Sequence, residues 1–186
     1  SGFGCKFALI SYVTSLCNLC AHLKEVDMGK QARAIVDLSL KDLVKDLNKA
    51  YADEWLAFYL YWYMAQIVSG RSYEDISEFL NKIAKEELEH AGELADLIVK
   101  LGGLPLANPM ELEKNANMPY MMPPKNTADI NRIIRTVTEA EAGAIEVYNK
   151  IAKKTLGKDN VTYQLVTHIL SEEVNHEEIF ENLMER

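Results

Sequence analysis

Four carboxylates and two imidazoles stand at positions where this chain should place core residues, and they do so in a pattern that repeats. From about Ser39 onward, apolar residues recur at steps of three and four, the spacing that gathers them on one stripe of an α-helix. The first run is Leu40, Leu43, Leu47, Tyr51, Phe58, Tyr61, Ala65 and Val68, and Glu54 fills the gap on its stripe. The second is Ile76, Leu80, Ile83, Leu94, Leu97 and Leu101, interrupted by Glu87 and His90. Ile130, Ile134, Val137, Ile145, Tyr148 and Ile151 form the third, interrupted by Glu141. The fourth, Val166, Ile169, Phe180 and Leu183, is interrupted by Glu173 and His176. No alternating segment competes with these runs, so the expected class is all-α.

The connections fix the topology. The first two runs are separated only by a few residues around Gly70, and the last two by a few around Gly157, so each pair must be an antiparallel hairpin. Between the hairpins, residues 102–126 hold all five prolines. That segment reads as a long crossover, with a short helix around Met110 to Asn115 and an N-cap for the third helix at Thr127. Helices of about 26 to 30 residues are roughly 40 Å long at 1.5 Å per residue. The prediction is a four-helix bundle with one long crossover between helices two and three.

The two hairpins use the same unit. Glu54 precedes Glu87-x-x-His90 by 33 positions, and Glu141 precedes Glu173-x-x-His176 by 32. Folding the hairpins together brings four Glu and two His to one level of the bundle. Burying unpaired carboxylates is costly, and clustered ones repel one another, so a compensating charge is required. Two divalent cations balance four carboxylates. Carboxylate with imidazole and no thiolate favours iron or manganese, and zinc also accepts such ligands. A lone Glu-x-x-His is more often a solvated helix face. Two of them, each on an apolar stripe with a Glu one hairpin upstream, point instead to a dinuclear metal site formed by Glu54, Glu87, His90, Glu141, Glu173 and His176. Tyr61 and Tyr148, seven residues after their own helix's Glu, suit electron donation, hydrogen bonding to a ligand or plain core packing. Glu86, Glu89, Glu93, Glu172, Glu177 and Glu178 read as solvated helix faces, and His168 as exposed or at a subunit contact. Met110, Met118, Met121 and Met122 read as gap-filling or subunit packing in the crossover.

Charge and cysteines narrow the classes further. Of 186 residues, 28 are Asp or Glu and 20 are Lys or Arg, a net charge of −8. A surface this acidic does not suit gripping phosphate backbones, so no sequence-specific nucleic acid is expected, while non-specific DNA contact stays open. The three cysteines, Cys5, Cys17 and Cys20, make no disulfide framework, which favours a reducing cytoplasm. Cys17-x-x-Cys20 lacks the second pair that a structural zinc site needs. Residues 1–27 form an apolar extension or leader, too interrupted by Lys6, Asn18 and His22 for a membrane span, and Met28 reads as a natural start to the bundle domain at 28–186.

The segments DEWLAFYLYW, KEELEHAGELADLIVKLGGLP, EAEAGAIEVY and LSEEVNHEEIFENL resemble the ferritin-like superfamily, with the greatest similarity to Dps-like proteins that keep a bacterioferritin-type di-iron site within one chain. The resemblance covers about residues 39–185. It implies a ferroxidase that binds two iron ions per chain, oxidises Fe(II) with hydrogen peroxide or oxygen, and stores ferric mineral in a homo-oligomeric shell, a dodecamer, against oxidative stress. There are departures from relatives. Many Dps-like proteins carry a cysteine two residues after the third-helix Glu, paired with one in the crossover; here that position is Gly143 and the crossover has no cysteine. Bacterioferritins bind haem through a Met after the second-helix Glu; here it is Leu88, so no haem is expected. Other classes to weigh are a non-storing di-metal enzyme (a rubrerythrin-like peroxidase, a manganese catalase or an oxygenase) and a metal-free helical interaction module.

Overall fold

The computed structural model describes residues 29–184. A short helix α1 (Lys30–Ala34) leads into α2 (Leu40–Ile67) and α3 (Tyr73–Lys100). The crossover contains a single 3-10 turn (Pro109–Glu111) running into α4 (Leu112–Asn115), and α5 (Ile130–Thr155) and α6 (Asn160–Met184) complete the bundle. The all-α class and the four-helix bundle with one long crossover are as the sequence predicts. Expectations for residues 1–27 and their cysteines lie outside the described residues.

Local chemistry sets the ends. Ser39 caps α2 by accepting from the Asp42 N–H. α3 stops where Gly102 takes a left-handed φ of +81°, which lets Gly103 N–H reach back to the Ile98 carbonyl at 2.9 Å. The α5 cap is Asp129, whose carboxylate accepts from Arg132 N–H, and not Thr127. Thr127 instead ties the end of the crossover to the α2–α3 turn through Ser69, side chain to side chain at 2.9 Å and backbone to backbone at 2.9 Å.

The crossover lies along α2. Asn48 holds Leu104 and Leu106, Asp53 holds Asn117 and Met118, Tyr59 meets the Tyr120 ring, and Ser69 holds Thr127. The hairpins α2–α3 and α5–α6 close on each other through α2–α5 and α3–α6 contacts. Their shared interior is two apolar clusters. One contains Leu60, Met64, Leu80, Ile83, Ile133, Val137 and Phe180, and the other Leu43, Leu47, Leu94, Ile98, Ile151, Val166 and Ile169. Glu54, Glu87, His90, Glu141, Glu173 and His176 are all buried yet belong to neither cluster. The gaps in the four stripes are one ionisable layer across the middle of the bundle.

Candidate metal centre

Each helix delivers its ionisable residue to that layer because the residue occupies a core address. All six residues are at most 4% exposed. His90 points Nδ1 inward, at 3.1 Å from Glu173 Oε1, 3.5 Å from Glu87 Oε2 and 3.6 Å from Glu54 Oε2. His176 does the same from the other side, with Nδ1 3.4 Å from Glu87 Oε1, 3.5 Å from Glu141 Oε2 and 3.7 Å from Glu173 Oε2. Glu87 and Glu173 therefore turn one oxygen to each histidine. Donor atoms of Glu54, Glu87, His90 and Glu173 lie within 4.8 Å of one another, as do those of Glu87, Glu141, Glu173 and His176. The layer is two overlapping ligand groups that share two carboxylates.

The donor set fits metal ions. Among the described residues, seven buried side-chain polar atoms lack a hydrogen-bond partner, and six are Glu87 Oε1, His90 Nδ1, Glu141 Oε1, both Glu173 oxygens and His176 Nδ1. Buried polar atoms are normally satisfied, and a cation held here would satisfy this concentration of unmet ones. The outer nitrogens are satisfied across the bundle: His90 Nε2 is 2.8 Å from Glu172 Oε2, and His176 Nε2 is 3.1 Å from Glu86 Oε2. A carboxylate on the far nitrogen fixes ring orientation and tautomer for a metal-binding histidine. Glu86 and Glu172 are thus not free solvated faces as the sequence suggested, and the doubled Glu-Glu in each hairpin was the available signal. Their neighbours Glu89, Glu93 and Glu178 are exposed as expected, as is His168.

Without metal the layer retains protons. Burial pushes the Glu54 and Glu141 carboxyls well above their ordinary range, and neighbouring Glu87 adds to this in both. Burial alone would lower both imidazoles, but the surrounding carboxylates prevail. His90 is raised by Glu173, Glu54 and Glu87, and His176 is raised by Glu141, Glu173 and Glu87 to about 12. Glu173 resists its burial and falls to about 2, because His176 and His90 both face it. Tyr61 and Tyr148 are fully buried, and burial raises both hydroxyls. Tyr148 donates to Glu54 Oε1, the carboxylate of the other hairpin and not that of its own helix.

On the crossover side the layer opens into a pocket of about 50 Å³, walled by Leu60, Tyr61, Met118, Tyr120 and Met121 and floored by Glu54, Glu87, Glu141 and Glu173. Ligand pockets for organic molecules run to roughly 300–1,000 Å³. This one suits molecules of a few atoms.

Residues 44–186 match the ferritin-like domain. The chain belongs to the ferritin-like family. A DNA protection during starvation protein of Pyrococcus furiosus is 32% identical over 164 residues, covering 84% of this chain and 86% of that protein. The bacterioferritin-related protein of Bacteroides fragilis, a dodecameric thioferritin, superposes with a TM-score of 0.75 at 34% identity, covering 78% and 86% of the two chains. Dps from Staphylococcus aureus gives a TM-score of 0.71 at 15% identity over 77% and 95%, a likeness of fold alone. The ferritin-like, Dps-like resemblance read from the sequence is therefore correct. No described helix is long and apolar enough to cross a membrane.

Proposed function

We propose that this ferritin-like protein is a ferroxidase that removes Fe(II) and peroxide together and stores the ferric product in a homo-oligomeric shell. The observation that carries this reading is the pair of shared carboxylates, with each oxygen of Glu87 and Glu173 turned to a different histidine. Such an arrangement suits two cations held side by side. Fe(II) is the substrate: Glu54 and His90 would hold one ion, Glu141 and His176 the other, with Glu87 and Glu173 between them. The chain's task is to keep two one-electron donors adjacent, so that a two-electron acceptor is reduced in one encounter. One hydrogen peroxide takes one electron from each Fe(II) and two protons, its O–O bond breaks, and two waters form. Oxygen is the other acceptor of suitable size for the pocket. Manganese and zinc fit the same ligands and would compete.

The pocket volume weighs against an oxygenase with an organic substrate. Storage rests on relatives, since the Bacteroides fragilis protein is dodecameric and we extend that assembly to this chain. DNA protection, named for the Pyrococcus furiosus relative, would here come from removing iron and peroxide, because a net charge of −8 opposes contact with phosphate backbones. A cytoplasmic location fits that role.

Iron retained per chain tests the proposal. Apo-protein is given excess Fe(II) and repeated substoichiometric peroxide, then desalted and assayed for iron against protein. Tens of irons per chain are expected. About two would keep the dinuclear site but replace storage with a peroxidase or catalase reading, and none would overturn the site itself.

A further inference from the structure

One wall of the small pocket is built by the crossover, and one side chain in it is held from two directions. Asp53, the residue before Glu54, accepts hydrogen bonds from the backbone N–H of Asn117 at 2.8 Å and of Met118 at 3.3 Å, and from Asn117 Nδ2 at 2.6 Å. This grip sets Met118 over α5, where its thioether fills the space beside Gly143. A Cβ added at Gly143 would overlap Met118 Sδ and Cε. Gly143 follows Glu141 by two residues, so the cradle lies within one turn of a metal-centre carboxylate. Methionine is ordinarily an adaptable gap-filler. Here its backbone is clamped to α2 and its tip is seated in a notch of α5, and the residue lines the pocket above Glu54, Glu87, Glu141 and Glu173.

We infer that Met118 determines oxidant specificity at this centre, admitting hydrogen peroxide and dioxygen and excluding organic hydroperoxides. The inference rests on the ferroxidase reading. A water needs roughly 10–15 Å³ of such space, so about 50 Å³ holds a peroxide with little room for a branched alkyl group. An alkyl hydroperoxide that did reach the centre would take one electron from each Fe(II) and two protons, breaking its O–O bond to give an alcohol and water. The barrier is therefore one of space, not of chemistry. Asp53 is a positioning residue that acts through Met118.

The test compares Fe(II) oxidation by tert-butyl hydroperoxide with that by hydrogen peroxide in the full chain and in two variants. Met118→Ala removes everything beyond Cβ and should raise the rate ratio in favour of the alkyl hydroperoxide by at least about tenfold, while Met118→Leu, which keeps the bulk and loses the sulfur, should preserve the discrimination. A ratio in Met118→Ala equal to that of the unaltered chain overturns the inference, as does a ratio in Met118→Leu equal to that of Met118→Ala. A second readout needs no turnover. In the Co(II)-loaded protein, azide should perturb the visible cobalt bands throughout, and imidazole only in Met118→Ala. Imidazole acting equally on the unaltered chain overturns the gate. Failure of hydrogen peroxide itself to oxidise Fe(II) faster than in buffer would instead sink the ferroxidase reading and leave the cobalt comparison to decide the gate.

Discussion

Glu172 Oε2 stands 2.8 Å from His90 Nε2, reaching from α6 to the far side of a ring whose near nitrogen faces the carboxylate layer. Glu86 makes the reciprocal contact to His176 at 3.1 Å. The residue before each shared carboxylate thus orients the histidine of the opposite hairpin, and the two halves of the centre set each other's geometry. Replacing such an outer carboxylate with its amide removes the charge that holds the tautomer. Glu172→Gln and Glu86→Gln should each weaken metal binding by about 10- to 100-fold while leaving the helical content intact. Titration of apo-protein with Co(II), followed in the visible spectrum, measures this, and unchanged affinity in both variants would remove the orienting role.

Metal must displace protons from this layer. In the metal-free protein His90 and His176 are raised, His176 to about 12, and Glu54 and Glu141 are raised by burial. A histidine with a raised folded pKa stabilises the metal-free fold fully below its unfolded value, near 6.5, and loses that contribution as pH climbs towards its folded value. Cation binding takes the opposite course, because ligands must be deprotonated to bind. Metal affinity should therefore rise with pH through the neutral range, and the metal-induced increase in Tm should grow with it. Calorimetry in buffers of different ionisation enthalpy counts the protons released. A proton count of zero at pH 7 would contradict the charge state described here.

Tyr148 provides a third handle. Its buried hydroxyl donates to Glu54 Oε1, so Tyr148→Phe strips a donor from a buried carboxylate. Leaving a buried acceptor unmet costs up to about 1–3 kcal/mol, less where a water in the adjoining pocket takes the donor's place. The loss should show in denaturant unfolding of the metal-free protein and shrink once metal is bound, since a cation then serves the same carboxylate. A loss that persists undiminished in the metal-bound protein would mean that Tyr148 acts by packing alone.

These contacts mark the boundary of what the chain reveals before it folds. The six buried ionisable residues were legible because each breaks an apolar stripe and the break recurs in both hairpins. The outer carboxylates left only a doubled Glu-Glu in each hairpin, which names no partner. Glu86 and Glu172 sit one residue, about a hundred degrees of helix, away from the stripe, and on an isolated helix that direction is solvent. Only the approach of α3 to α6 gives each a histidine to face. Tyr148 hydrogen-bonds one of the six, as its reading allowed, but its partner was not legible. Two turns of α5 separate it from Glu141, and the partner it takes, Glu54, comes from α2 across the bundle. The course of a proline-rich crossover follows no periodicity, so neither the Asp53 clamp nor the meeting of Met118 with Gly143 could be placed from the sequence.

That last meeting gives a prediction separable from catalysis. A methyl group at residue 143 would overlap the sulfur and terminal methyl of Met118, while Asp53 keeps the Met118 backbone from retreating. Overpacking costs typically about 1–3 kcal/mol where the neighbour cannot move, and less where it is the tip of a flexible side chain. Gly143→Ala would otherwise favour the helix by roughly 1 kcal/mol, because glycine is the poorer helix former. The net effect therefore depends on the side chain opposite. The overlapping atoms are the far end of a flexible side chain, so Gly143→Ala alone should push the thioether aside and gain less stability than the same substitution in a Met118→Ala background. A double-mutant cycle in urea reads the coupling, expected at about 0.5–3 kcal/mol for groups in direct contact. Additive effects would mean that the thioether does not rest in the glycine notch, and the pocket wall would then have to be built by other residues.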